Sequence, residues 1–136
     1  MRPILHLILL PLLIVWALPW TLLGALFGLL CCVTGGGVCR VGRVLEFHGG
    51  CLGALLKRAP ICGGAAAITL GHTVLARTVT DLDRTRKHEL VHVHQYERWG
   101  PFFIPAYLLA SVYLWLRGYD AYLDNPFEKQ AYDEAS

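Results

Sequence analysis

Charge is scarce in this chain. Asp, Glu, Lys and Arg together make up 16% of the 136 residues, against about 25% in ordinary soluble domains. Hydrophobic residues reach 55%, and that balance points to a membrane protein. A basic surface is lacking too: the net charge of +2 is small and scattered, which argues against nucleic acid as a partner. Paired cysteines are also missing. Cys31, Cys32, Cys39, Cys51 and Cys62 are odd in number and form no C-x-x-C pair. Neither a disulfide framework nor a cysteine zinc knuckle is therefore favoured. They read as small buried residues, with lipid attachment at Cys31 or Cys32 a second option.

What the chain has in excess is an apolar run from Pro3 to Val33, interrupted mainly by His6. About 31 residues of helix would extend roughly 46 Å, well beyond a hydrocarbon core of about 30 Å. Two shapes fit: one tilted span, or a hairpin of two short helices broken at Pro19-Trp20. Gly24 and Gly28 form a small-x-x-x-small face suited to close helix packing. A cleaved signal peptide competes with both, but the run is long for one and lacks an A-x-A cleavage site. The expected organisation is a membrane anchor over residues 1–36 and one domain over 37–136, with Thr34-Gly35-Gly36-Gly37 as the linker. Arg40 and Arg43 follow that linker, and the positive-inside rule then places residues from 40 onward in the cytoplasm.

From residue 43 the pattern changes. Arg43 to His48 alternates and ends at Gly49-Gly50, which predicts a strand and a turn. Cys51 to Leu56 fits helix or strand. Pro60 and Gly63-Gly64 punctuate, and Ala65 to Thr80 has strand composition with Gly71 marking a bulge or tight hairpin. A small antiparallel sheet is expected here.

Next comes His88-Glu89-x-x-His92. Thr80-Asp81-Leu82-Asp83 reads as a capping box before it and Gly100-Pro101 as a stop after it, so the motif falls on a helix. Positions i and i+4 share a helix face, and two imidazoles so placed fit two corners of a Zn²⁺ tetrahedron. Glu89 sits beside them as a general base for water. His94 lies about 200° round the helix from His92 and reads as a surface residue.

A catalytic zinc needs a third protein ligand. The metzincin spacing is excluded, because Gln95 and Arg98 stand where its glycine and third ligand would be. A downstream carboxylate is left, among Asp120, Asp124, Glu128, Asp133 and Glu134. Glu128 also lies three residues after Asn125, where it could complete a capping box ahead of Pro126.

His88-Glu89-x-x-His92 followed by Asn125-Pro126-x-Glu128-x-x-Ala131 resembles the gluzincin zinc metallopeptidases, above all the very small minigluzincins. Leu70-Gly71-His72 and the run Gln95 to Pro101 resemble short bacterial membrane proteins. The gluzincin likeness covers about residues 70–134. It implies zinc held by His88, His92 and Glu128, with Glu89 as the catalytic base. Many gluzincins also carry an Asp four residues after the ligand Glu; here that position is Tyr132, and Asp133 follows it. His72 is a possible oxyanion stabiliser or a plain strand histidine. Any of Tyr107, Tyr113, Tyr119 or Tyr122 is open for contact with a tetrahedral intermediate.

The resulting expectation is an α+β chain: a membrane helix or helical hairpin, the sheet, then a three-helix zincin-like core running up, down and up. The apolar run 102–116 then forms a core helix that does not cross the membrane, since a crossing would strand His92 and Glu128 on opposite sides. The expected function is that of a membrane-anchored zinc metalloendopeptidase in the bacterial inner membrane, with its catalytic part cytoplasmic and a peptide or membrane protein as substrate. The alternative is a non-enzymatic membrane protein with a structural zinc site or no metal.

Overall fold

The computed structural model describes residues 2–58 and 66–135. Pro60, Cys62 and Gly63-Gly64 lie outside the described residues. The fold is mixed α+β. Helices α1 (Arg2–Trp16) and α2 (Leu18–Val33) lead into β1 (Gly37–Val41) and β2 (Val44–His48), then α3 (Leu52–Lys57). Strands β3 (Ala67–Leu70) and β4 (Thr73–Ala76) precede α4 (Val79–Trp99). A 3-10 turn (Gly100–Phe102) joins α4 to α5 (Phe103–Leu116), and α6 (Pro126–Ala135) closes the described chain.

The chain bends by 67° between α1 and α2. The break falls at Ala17, ahead of the expected Pro19-Trp20. Pro19 sits in the first turn of α2, where a missing N–H leaves nothing unsatisfied. Pro11 is inside α1 without ending it.

The sheet order is β1-β2-β4-β3. β1/β2 and β3/β4 are antiparallel hairpins, but β2 and β4 pair in parallel. The expected antiparallel sheet is therefore a mixed one. The reason is the connection: α3 and β3 intervene between β2 and β4, and a crossover of that length permits a parallel neighbour. Gly71 makes the tight β3–β4 turn with φ +61°, and Thr21 of α2 packs directly over it. Gly24 and Gly28 turn out to serve helix-on-sheet packing. A Cβ on Gly24 would overlap Thr73 Oγ1, and one on Gly28 would overlap the Phe47 ring.

α4 begins two residues earlier than the capping-box reading suggests. Thr78 Oγ1 accepts from Asp81 N at 3.1 Å, so Thr78 is the N-cap. At the far end, Gly100 has φ +57° and lies under the Trp16 indole. The Trp16 and Phe102 rings meet at 6.0 Å, and Trp20 Nε1 donates to Pro101 O at 3.0 Å. These contacts fix the α1–α2 elbow to the end of α4.

The three C-terminal helices do not run up, down and up. His88 contacts Tyr132, His92 contacts Glu128, and Trp99 contacts Phe127. The order is reversed, so α6 is antiparallel to α4. The cause lies in α5, whose first turns reach α4 and α6 through Phe103 and Tyr107 while Leu109, Trp115 and Leu116 are exposed. The return segment runs back along α5: Ser111 Oγ donates to Ala121 O, and Asn125 Nδ2 donates to Tyr107 O. α6 consequently starts beside the end of α4 and runs toward its beginning. By length and composition, the helical run Val79–Leu116 could cross a membrane, and so could the bent pair Leu7–Trp16 and Leu18–Val33 taken together.

Candidate metal centre

α4 and α6 bring His88, His92 and Glu128 together, with their ligand atoms all within 4.8 Å of one another. His88 Nε2 is 3.0 Å from Glu128 Oε2, and His92 Nε2 is 3.2 Å from Glu128 Oε1. The two Nε2 atoms are 3.2 Å apart. Zinc bonds of about 2.0–2.1 Å in a tetrahedron imply ligand-to-ligand edges of about 3.3 Å. The two imidazole nitrogens stand at about that separation, and each meets one oxygen of the same carboxylate at a similar distance, a donor set suited to a cation of that size.

Glu128 does not spend its carboxylate on the helix cap. Asn125, fully buried, caps α6 unaided: its Oδ1 accepts from Phe127 N at 2.9 Å, while its Nδ2 donates to Tyr107 O and Ser111 Oγ. Asn125 N donates to Tyr122 O. The Glu128 carboxylate instead takes a hydrogen bond from Tyr107 OH at 2.9 Å and faces both histidines. Burial pushes its pKa up, but the hydrogen bonds from His88 and His92 outweigh burial and hold it at about 2. Burial likewise lowers His92, yet Glu128, aided by the charge of Glu89, raises it to about 9. The pocket is thus arranged around an anionic carboxylate that attracts positive charge.

Glu89 is buried one residue from His88 and lines the same cleft. Its Oε2 accepts from Thr69 Oγ1 at 2.6 Å, and Thr69 in turn receives Tyr96 OH on its carbonyl at 2.9 Å. The cleft has a volume of about 730 Å³. β3, the edge strand beyond β4, forms one wall with residues 67–70, and Phe103, Ile104 and Leu108 line another.

No protein-family model, curated protein or solved structure matches the chain. The site must be read from its own geometry.

His72 is buried in a different network. Its Nε2 is 2.9 Å from Glu97 Oε2, and Arg43 clamps the same carboxylate at 2.6 and 2.7 Å. Burial raises Glu97, but His72 and Arg43 bring it down to about 2. His72 is absent from the cleft wall, as is Asp133, which is exposed on α6. His94 is exposed, as its helical angle implies. Tyr107 and Tyr122 line the cleft, whereas Tyr113 and Tyr119 are exposed away from it. Tyr132, standing where many gluzincins have Asp, packs its ring against His88 at 4.4 Å.

Sequence reasoning missed Thr69, Gln95 and Gln130. Gln95 is buried, and its Oε1 lies 2.8 Å from His92 Nδ1. The available signal was its position: three residues after His92, it shares that residue's helix face.

Proposed function

We propose that this chain is a membrane-anchored zinc metallopeptidase of the gluzincin type. One observation carries the reading: the donor atoms of His88, His92 and Glu128 converge in an open cleft beside Glu89. When bound by these three residues, zinc supplies a Lewis acid that acidifies water and polarises a carbonyl. Glu89 takes the proton of the attacking water and returns it to the leaving amine nitrogen, so the peptide bond is broken with no net change of charge on the protein. Thr69 holds the Glu89 carboxylate in place from β3. Among the described residues the same strand is an edge of the sheet and faces the cleft, and on it an extended peptide can pair by main-chain hydrogen bonds.

The alternative, a structural zinc site, needs a fourth protein ligand. Among the described residues the cluster comprises three donors, none of them cysteine, which favours the hydrolytic reading. The test is metal analysis of the purified protein. About one zinc per chain is expected in the wild type, and His88→Ala or His92→Ala should abolish it. Unchanged metal in both variants would remove the centre.

The membrane reading, in a bacterial inner membrane, rests on the apolar α1–α2 segment, and Arg40 and Arg43 after it support a cytoplasmic side for the rest of the chain. Contact between α4 and α6 supports an α5 that dips toward the lipid without crossing it. Reporter fusions after Gly100 and after Gly118 should therefore report the same side. Opposite sides would refute this topology.

A further inference from the structure

We infer that His92 is held by a relay of side-chain amides ending on a carboxylate, His92–Gln95–Gln130–Glu134, with Gln95 as the positioning residue of the centre. The inference rests on the metal-site reading above. The direction of every bond in the relay follows from groups that can only accept.

Gln95 Nε2 lies 3.0 Å from Phe127 O, and a carbonyl oxygen accepts only. The amide nitrogen of Gln95 is therefore correctly on that side, and its oxygen faces His92 Nδ1 at 2.8 Å. His92 must then carry a proton on Nδ1 and donate it. The same logic fixes the next link. Gln130 Nε2 donates to the Glu134 carboxylate at 2.9 Å, which turns Gln130 Oε1 toward Gln95 Nε2, also at 2.9 Å. Each amide polarises the next, so the chain of bonds is stronger than its members apart.

The consequence falls on the other ring nitrogen. With Nδ1 committed as a donor, Nε2 is the atom left to bind a cation, and it is the one facing His88 and Glu128. Metal-binding histidines are commonly oriented in this way by a carboxylate or carbonyl on the second nitrogen. Here two amides stand between the imidazole and the carboxylate. The relay also joins the two helices that supply the ligands: Gln95 rides on α4 with the histidines, Gln130 and Glu134 on α6 with Glu128. The carboxylate at the end of the relay is Glu134, the residue after Asp133.

The test combines zinc titration against a competing chelator with ¹⁵N-histidine NMR on the full chain in detergent. Gln95→Met keeps the side-chain length but removes donor and acceptor. Zinc affinity should fall about 10- to 100-fold, and the His92 Nδ1–H signal should move upfield from its wild-type position, as a proton that has lost its acceptor does. Gln130→Met, at a half-buried position, breaks the relay one step further out. It should keep that signal at its wild-type position while weakening zinc binding several-fold, which makes the test independent of whether Gln95→Met folds. Glu134→Gln preserves an acceptor and should change affinity less than Gln130→Met. Unchanged affinity in both methionine variants, or zinc-loaded wild type lacking a proton on His92 Nδ1, would overturn the relay while the metal centre stands. A wild type that binds no zinc overturns the centre itself, and with it the role given to Gln95.

Discussion

Glu89→Gln should retain a full complement of zinc and lose peptide hydrolysis. The two readouts separate because Glu89 is not among the clustered donor atoms, yet it lines the same cleft. An amide has the shape of the carboxylate and can still accept from Thr69 Oγ1, so the 2.6 Å hydrogen bond that fixes the side chain has a counterpart in the variant. What the amide cannot do is take a proton from water. General-base catalysis contributes about 10²- to 10⁴-fold, and a loss of that size is expected with a fluorogenic peptide library as the probe. Thr69→Val offers the graded comparison: the base remains but its anchor is gone, so activity should fall less than in Glu89→Gln. If Glu89→Gln lost its zinc, Glu89 would be structural. If it kept full activity, proton transfer would belong to another group.

Local chemistry was readable before the fold was known. The i, i+4 spacing of His88 and His92, the Asn125-Pro126 helix start and the Gly71 hairpin all depend on residues close in sequence, and each stands where the pattern puts it. β1 escaped notice because it buries little: four of its five residues are exposed, so no apolar alternation marks it. Cys51 to Leu56 resolved as α3 through burial of Leu52 and Leu56 against Phe47 and Leu75, contacts supplied by a distant part of the chain. The parallel β2/β4 pair and the reversed direction of α6 are likewise products of long-range packing. A helix pattern says which face is buried but not which way the next helix returns.

The amide relay illustrates the same limit at the site. Gln95, Gln130 and Glu134 are ordinary helix-forming residues with no pattern of their own. Their hydrogen bonds exist because α6 lies antiparallel against α4. The parallel arrangement expected from sequence would have brought Glu128 to a similar height on its helix while scrambling the residues around it. A correct ligand set is thus compatible with a wrong helix direction, since the ligands are few and the supporting contacts many.

Glu128→Gln is where the ligand and cap readings of one residue part most sharply. A residue serving only as a helix cap would tolerate the change, because a capping box accepts Glu or Gln. α6 already has its cap in Asn125, whose side chain bonds Phe127 N, Tyr107 O and Ser111 Oγ. The variant should therefore keep its helix and fold. The carboxylate, by contrast, faces two imidazole nitrogens at 3.0 and 3.2 Å and accepts from Tyr107 OH at 2.9 Å. Replacing it with an amide removes the negative charge, and whichever end of the amide faces the histidines is a poorer partner for a dication. The expected loss of zinc affinity exceeds the roughly 10- to 100-fold typical of supporting residues, and hydrolysis should disappear with the metal. Glu128→Asp keeps the charge but withdraws the oxygens by one methylene. Zinc–oxygen bonds of about 2.0–2.2 Å leave little slack for that, so this variant should also bind weakly while far-ultraviolet circular dichroism stays as in the wild type. Full zinc occupancy in Glu128→Gln would exclude Glu128 as the third ligand.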